Sequence, residues 1–209
     1  MTLTELSRRE RKKDETRRRI FEAAVALFRA KGFEETTVDE ITERADVGRG
    51  TFFNYFPRKE AVLTYLSEGW LEVAEENAAP LLDAAVSTRE KVIDIFLFAA
   101  SAYEQDPALS RFVFGEWVKR GFASSSDAGA RWSRLLLSVL EQGKAKQELL
   151  ADVPTPRAES LLSGVYMATI FEWLFCPPEG GQLFTDVRSE LTARLTIVLD
   201  GMSPRPEGR

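Results

Sequence analysis

Residues 37–63 read TVDEITERADVGRGTFFNYFPRKEAVL, and the order of side chains in this stretch decides the fold of the N-terminal region. The Thr37 hydroxyl can accept from the third helical N–H while Glu40 reaches back to the N–H of Thr37. This is a capping box, so a helix starts at Val38. Its apolar positions Val38, Ile41 and Ala45 fall at i, i+3 and i+7, and Asp39 and Glu40 suit the positive end of its dipole. After Asp46-Val47-Gly48 a short helix is predicted over 49–56. Pro57 stops it, having no N–H to donate and restricting the residue before it. Upstream, Ile20, Ala24, Leu27 and Phe28 recur at i, i+4, i+7 and i+8, the stripe of an amphipathic helix. That pattern ends at Gly32, which reads as a left-handed cap with Phe33 folded back onto the last turn. Three short helices with a tight turn between the second and third form the helix-turn-helix layout.

At 100° per residue, Phe52 and Phe56 share the inner face of the third helix, leaving Gly50 and Asn54 opposite and Arg49, Thr51, Phe53 and Tyr55 on the flanks. A glycine inside so short a helix costs about 1 kcal/mol relative to alanine, which fits a backbone that something approaches closely. The major groove of DNA is one such partner, and a tight helix crossing is another.

The rest of the chain reads as helices too, over 59–77, 89–104, 107–121, 127–148, 157–175 and 186–202, with no alternating strand pattern and no internal repeat. Pro80, Asp106-Pro107, and the segments 121–129, 152–156 and 176–181 mark the connections. The expected fold class is all-α. A three-helix unit over 1–60 leads into a larger helical domain over 61–202, and 203–209 is expected to be a disordered tail.

Composition removes whole classes of chemistry. The 209 residues contain no histidine and one cysteine, so a Ser-His-Asp or Cys-His nucleophile, a histidine-ligated metal and an intramolecular disulfide are all absent. No glycine-rich phosphate loop is present either, and neither enzyme activity, cofactor nor metal is expected. The longest nearly apolar stretch, 161–176, includes Glu172 and is shorter than the roughly 20 residues a bilayer requires. With no apolar run behind the N-terminus, a cytoplasmic location without membrane contact is expected.

The net charge of −5 conceals an asymmetry. Residues 1–60 carry 14 Lys and Arg against 12 Asp and Glu, whereas the remainder carries 14 against 21. Within 7–31 there are ten basic residues and four acids, a run that suits phosphates but also describes a solvated helix end.

The Thr37–Ile41 segment followed by GRGTFFNYFPRKEAVL over 48–63 resembles the TetR/AcrR family of bacterial transcriptional regulators, and the likeness extends over about 17–66. The resemblance implies a DNA-binding domain in which Arg49, Gly50 and Phe53 take base-contacting or groove-facing places, with Asn54 on the same outer surface. Thr37, Thr51, Tyr55 and Lys59 match phosphate-contacting places. Arg49 could pair with O6 and N7 of a guanine. The run Arg8, Arg9, Arg11, Lys12 and Lys13 resembles the basic arms that some relatives lay along a minor groove before the first helix. Two positions depart from the pattern: Asp46 stands where glycine is usual, and Gly48 where a serine-like cap is common. Aspartate tolerates the left-handed region and glycine is an adequate N-cap, so neither departure threatens the fold.

The same resemblance implies that the larger domain encloses a small-molecule pocket and forms a homodimer through its last two long helices. Phe96, Phe112, Trp117, Tyr166 and Phe171 are the candidate ligand contacts, for a small, largely apolar molecule. The small residues Ser160, Ser163, Gly164 and Ala168 on the helix over 157–175 suit close approach of a partner helix, and ordinary packing within the chain would also use them. Glu172 reads either as a polar anchor for a ligand or as the partner of an arginine, and Cys176 as a passive thiol. The expected function is that of a ligand-responsive repressor that binds a palindromic operator as a dimer. An all-helical enzyme or apolar-ligand carrier, or a DNA-binding regulator controlled by a protein partner, are the alternatives.

Overall fold

The computed structural model describes residues 8–119, 127–176 and 184–204, and among these it contains nine α-helices and no strand. They are α1 (Arg8–Lys31), α2 (Val38–Arg44), α3 (Arg49–Tyr55), α4 (Glu60–Ala78), α5 (Thr88–Gln105), α6 (Pro107–Lys119), α7 (Asp127–Ala145), α8 (Thr155–Phe175) and α9 (Val187–Met202). A 3₁₀ turn, Ala79–Leu82, follows α4 where the sequence offered only Pro80 as a connector. The all-α expectation and each of the expected helices are met, with ends displaced by a few residues.

The local reasons are those the sequence supplies. Gly32 takes φ +92°, and its N–H donates to the Phe28 carbonyl at 2.9 Å while the buried Phe33 ring packs on Phe28 at 4.9 Å. The Thr37–Glu40 capping box is fully formed. Asp46 takes φ +51° in the turn between α2 and α3, as its short polar side chain allows. A second capping box, Ser87 with Glu90, starts α5.

Two hydrophobic cores result. The first gathers Ile20, Ala24 and Phe28 of α1, Ile41 of α2 and Phe52 of α3 with Phe56. It does not close at residue 60, because Val62, Leu63 and Leu66 of α4 and Leu109 and Val113 of α6 complete it. The second runs through α4, α5, α7, α8 and α9, with Phe114 of α6, around Phe96, Leu136, Leu140, Leu162, Ile170 and Leu195. Helices α4 and α6 therefore belong to both cores. Gly143 of α7 is held close to α5, since a Cβ there would meet Thr88 at 2.6 Å.

Three expectations need correction or placement. The basic run Arg8–Lys13 does not precede the first helix as an extended arm but forms its first turns. Arginine, lysine and glutamate are good helix formers and no breaker interrupts them, so α1 continues beyond the point, Ile20, where its core contacts begin. Ser203, expected in a disordered tail, is ordered and donates to the Leu199 carbonyl at 2.8 Å, while 205–209 lie outside the described residues. The connections expected over 121–129 and 176–181 lie largely outside them as well.

Candidate nucleic-acid interface and ligand cavity

The outer surface of α3 is assembled from its inner one. Phe52 and Phe56 are completely or almost completely buried and pack on each other, with rings tilted at 40°, within the first core. This fixes the helix in rotation and turns Arg49, Gly50, Phe53 and Asn54 to solvent, with Thr51 and Tyr55 half-buried at the margins. Gly50 has open space where a Cβ would stand: apart from its two neighbours in sequence and the backbone of its own helix, no atom among the described residues comes within 4 Å of that point. Crowding inside the chain therefore gives no reason for a glycine here, and the helix-crossing explanation fails. Thr37 is exposed beside this surface at the start of α2, and Arg49 pairs across the turn with Asp39.

The Glu40 carboxyl is held down to about 2 by the Lys31 ammonium first and the Thr37 donors second, so it is fully ionised as the clasp between α1 and α2. Lys59 was expected at a phosphate. In this structure its ammonium donates to the carbonyls of Phe33 at 2.7 Å, Thr36 at 2.8 Å and, more weakly, Glu34 at 3.4 Å, above the Phe33 ring. An ammonium has three N–H groups, and these carbonyls account for all of them. Arg17 similarly lies over the Tyr65 ring at 4.1 Å, tying α1 to α4. No sequence signal announced either contact, since the partners lie far apart along the chain.

The second site is a cavity of about 870 Å³ walled by α4, α5, α6, α7 and α8. Four of the five candidate ligand residues line it: Phe96, Trp117, Tyr166 and Phe171. Phe112 does not. It stands on the opposite face of α6, stacked on Phe33 in the first core, because Leu109, Phe112 and Val113 turn toward α1 and α4 while Phe114 and Trp117 turn toward the cavity. Sequence reading missed Trp70, Tyr103, Phe114 and Trp132, which complete an aromatic lining. Burial pushes the Tyr103 phenol up to about 12 and the Tyr166 phenol well above its ordinary value, so both are neutral. Glu172 is not a free polar anchor, because Arg194 grips it at 2.7 Å and also holds Glu190.

Between the two sites lies a polar contact that no motif pointed to. Glu116 of α6 is buried, its Oε2 accepts no hydrogen bond among the described residues, and that oxygen lies 3.9 Å from Arg58, three residues past the end of α3. At the other end of α6, Asp106 pairs with Arg29 of α1 at 3.0 Å. Trp117, next to Glu116, lines the cavity.

The family model described as "Bacterial regulatory proteins, tetR family" matches residues 20–66, the span from α1 to α4 that carries the first core. A solved structure of Thermus thermophilus FadR, described as a TetR family transcriptional repressor in complex with lauroyl-CoA, is 30% identical with a TM-score of 0.75. The match covers 92% of this chain and 98% of that one. The chain belongs to the TetR family. Among curated relatives, the transcriptional repressor KstR of Rhodococcus jostii is 25% identical over 92% of this chain and 87% of its own length. Bacillus subtilis FadR, solved with stearoyl-CoA, shares the fold at a TM-score of 0.66 and 19% identity. Like these TetR-family proteins, the chain is a DNA-binding transcriptional regulator. Among the described residues no helix is long and apolar enough to cross a membrane.

Proposed function

We propose that this regulator is a cytoplasmic repressor that binds a near-palindromic operator as a homodimer and releases it when a fatty-acyl compound enters the cavity. The observation that carries the reading is the sharing of α4. Its residues Val62, Leu63 and Leu66 belong to the core beneath the recognition helix, and its residues Trp70, Leu71 and Ala74 form the cavity wall one turn further on. A ligand that moves this wall also moves the mount of α3.

On the DNA side, Arg49, Gly50, Phe53 and Asn54 face the major groove, and Thr37, Thr51 and Tyr55 approach phosphates. Arg8, Arg9, Arg11, Lys12 and Lys13 add positive charge from the projecting turns of α1. Lys59 acts as a brace for the turn that carries Thr37. The division into residues 1–60 and 61–202 becomes functional rather than structural on this reading, since α4 and α6 transmit between the two units.

On the ligand side, a volume of about 870 Å³ with an aromatic lining suits an acyl chain, and the similar Thermus thermophilus protein was solved with lauroyl-CoA. The dimer forms through α8 and α9. Leu161 on α8 is 59% exposed and Ile197 on α9 72% exposed, and neither borders the cavity, whereas Ser160, Gly164, Ala168 and Phe171 of α8 also line it. Exposed apolar faces of this kind mark association surfaces.

Selection from a random duplex library tests the DNA half: enriched sites should be two-fold symmetric, with half-sites about 34–36 Å apart or a multiple of that. Addition of lauroyl-CoA tests the ligand half by displacing the selected duplex. Asymmetric sites or no enrichment would remove the dimeric operator, and retention of the duplex at saturating lauroyl-CoA would remove the acyl ligand.

A further inference from the structure

The ion pair between Asp39 and Arg49 joins the two helices of the turn on their solvent side. Arg49 Nη1 donates to Asp39 Oδ2 at 3.1 Å and lies 2.9 Å from Oδ1, with the side chains 63% and 65% exposed. An exposed pair contributes little to folding, so stability gives no account of its placement. Nor does affinity for DNA, because a carboxylate on the surface that meets phosphates repels them.

Geometry supplies the missing reason. Contact through Nη1 leaves the three N–H groups of Nη2 and Nε for another acceptor, and the major-groove edge of guanine offers two, O6 and N7. A free arginine would have to surrender several rotamers to reach that edge, and could equally turn to a phosphate. Held by Asp39 from one side, its planar fork is presented in one orientation.

Resting on the assignment of α3 to the major groove, we propose that Asp39 is a positioning residue for operator specificity: it fixes Arg49 for a guanine and penalises duplexes on which Arg49 must leave it. On a matching site the guanidinium serves both partners at once. On a mismatched site Arg49 either stays with Asp39 and contacts no acceptor, or turns to phosphate and leaves a carboxylate unpaired near the DNA. The consequence is that removing Asp39 strengthens non-specific binding while weakening discrimination.

The test uses the full-length protein, its selected operator, duplexes carrying single base-pair changes, and a scrambled duplex. Arg49→Ala first identifies the base pair at which preference is lost. Asp39→Ala is then expected to lower discrimination at that same base pair by about threefold to tenfold, with Asp39→Asn intermediate. It should also raise affinity for the scrambled duplex by about twofold to fivefold at low salt, an effect that fades as salt screens it. In the Arg49→Ala background, Asp39→Ala should leave discrimination unchanged.

A merely structural role at the start of α2 would lower the melting temperature and weaken all duplexes alike, which would overturn the proposal. Loss of preference at a different base pair, persisting without Arg49, would overturn it in favour of direct reading by Asp39. If Arg49→Ala itself changes no preference, the assignment of α3 fails and takes this proposal with it. Unchanged discrimination in Asp39→Ala alone leaves that assignment standing and overturns only the positioning role.

Discussion

Helices α3 and α8 each bury one face in a core and leave residues on another face exposed, and the two exposed sets differ in kind. On α3 the exposed face carries a guanidinium, an amide, an aromatic edge and a glycine with open space at its Cβ position. On α8 it carries Leu161 and Phe175 beside Ser160, Gly164, Ala168 and Phe171, which also border the cavity. A face of donors around a thin backbone suits a polyanion with acceptor edges, whereas small and apolar groups suit another helix. The partner of a helix can thus be read from what its unburied side lacks as well as from what it offers. On α3 aliphatic side chains are missing, and on α8 charge is missing along the stripe.

The largest effect is expected on the α8–α9 side. Leu161→Asp combined with Ile197→Asp should convert the dimer to monomer in sedimentation. Operator affinity should then fall by about 100-fold or more, because two half-sites are no longer engaged together. A dimer that survives both charges would move the interface elsewhere. On the α3 side, Lys59→Met should destabilise the protein by about 1.5–3 kcal/mol, the range for hydrogen bonds to a charged group, read by chemical denaturation. A loss of operator affinity with unchanged stability would instead return Lys59 to the phosphates.

Gly50→Ala sharpens the contrast further because its two effects oppose each other. With open space at the Cβ position, alanine should stabilise α3 by up to about 1 kcal/mol, while operator affinity drops by about tenfold as the methyl meets the groove. Stability and affinity rising together would show that nothing approaches this backbone. The smallest effect concerns the clasp beneath Thr37. The Glu40 carboxyl, with a pKa lowered from 4.5 to about 2, contributes stability that is complete above pH 4.5 and is lost as pH falls toward 2. Glu40→Gln should therefore lie below the parent protein in melting temperature at pH 6, and the gap should narrow on acidification. A gap that is constant with pH would assign the stability to packing instead.

What the sequence disclosed tracks how local each feature is. The cap at Gly32, the Thr37–Glu40 box, the left-handed Asp46 and the Phe52–Phe56 spacing each involve residues within a turn or two of one another, and each stands in the structure as read. Phe112 was misplaced because α6 is apolar on two sides, and periodicity says that a residue is buried without saying in which core. The Lys59 brace reaches 23 to 26 residues back to carbonyls, and carbonyls have no sequence signature. Glu116 looks like any helical glutamate until α6 is seen wedged between the two cores. The basic run misled for a different reason. Its charge suggested an arm, yet its propensity is helical, and with no proline or glycine to stop it propensity prevailed.

On the proposed function, cavity and recognition helix are two ends of one equilibrium, joined through α4 and α6. Calorimetric titration of lauroyl-CoA into the protein, alone and again with its selected operator bound, measures this directly. Linkage requires DNA to weaken ligand binding by the factor by which ligand weakens DNA binding, expected at about 5- to 150-fold for a coupling of about 1–3 kcal/mol. Equal ligand affinities in the two titrations would contradict the account, leaving a cavity that binds without control over the DNA.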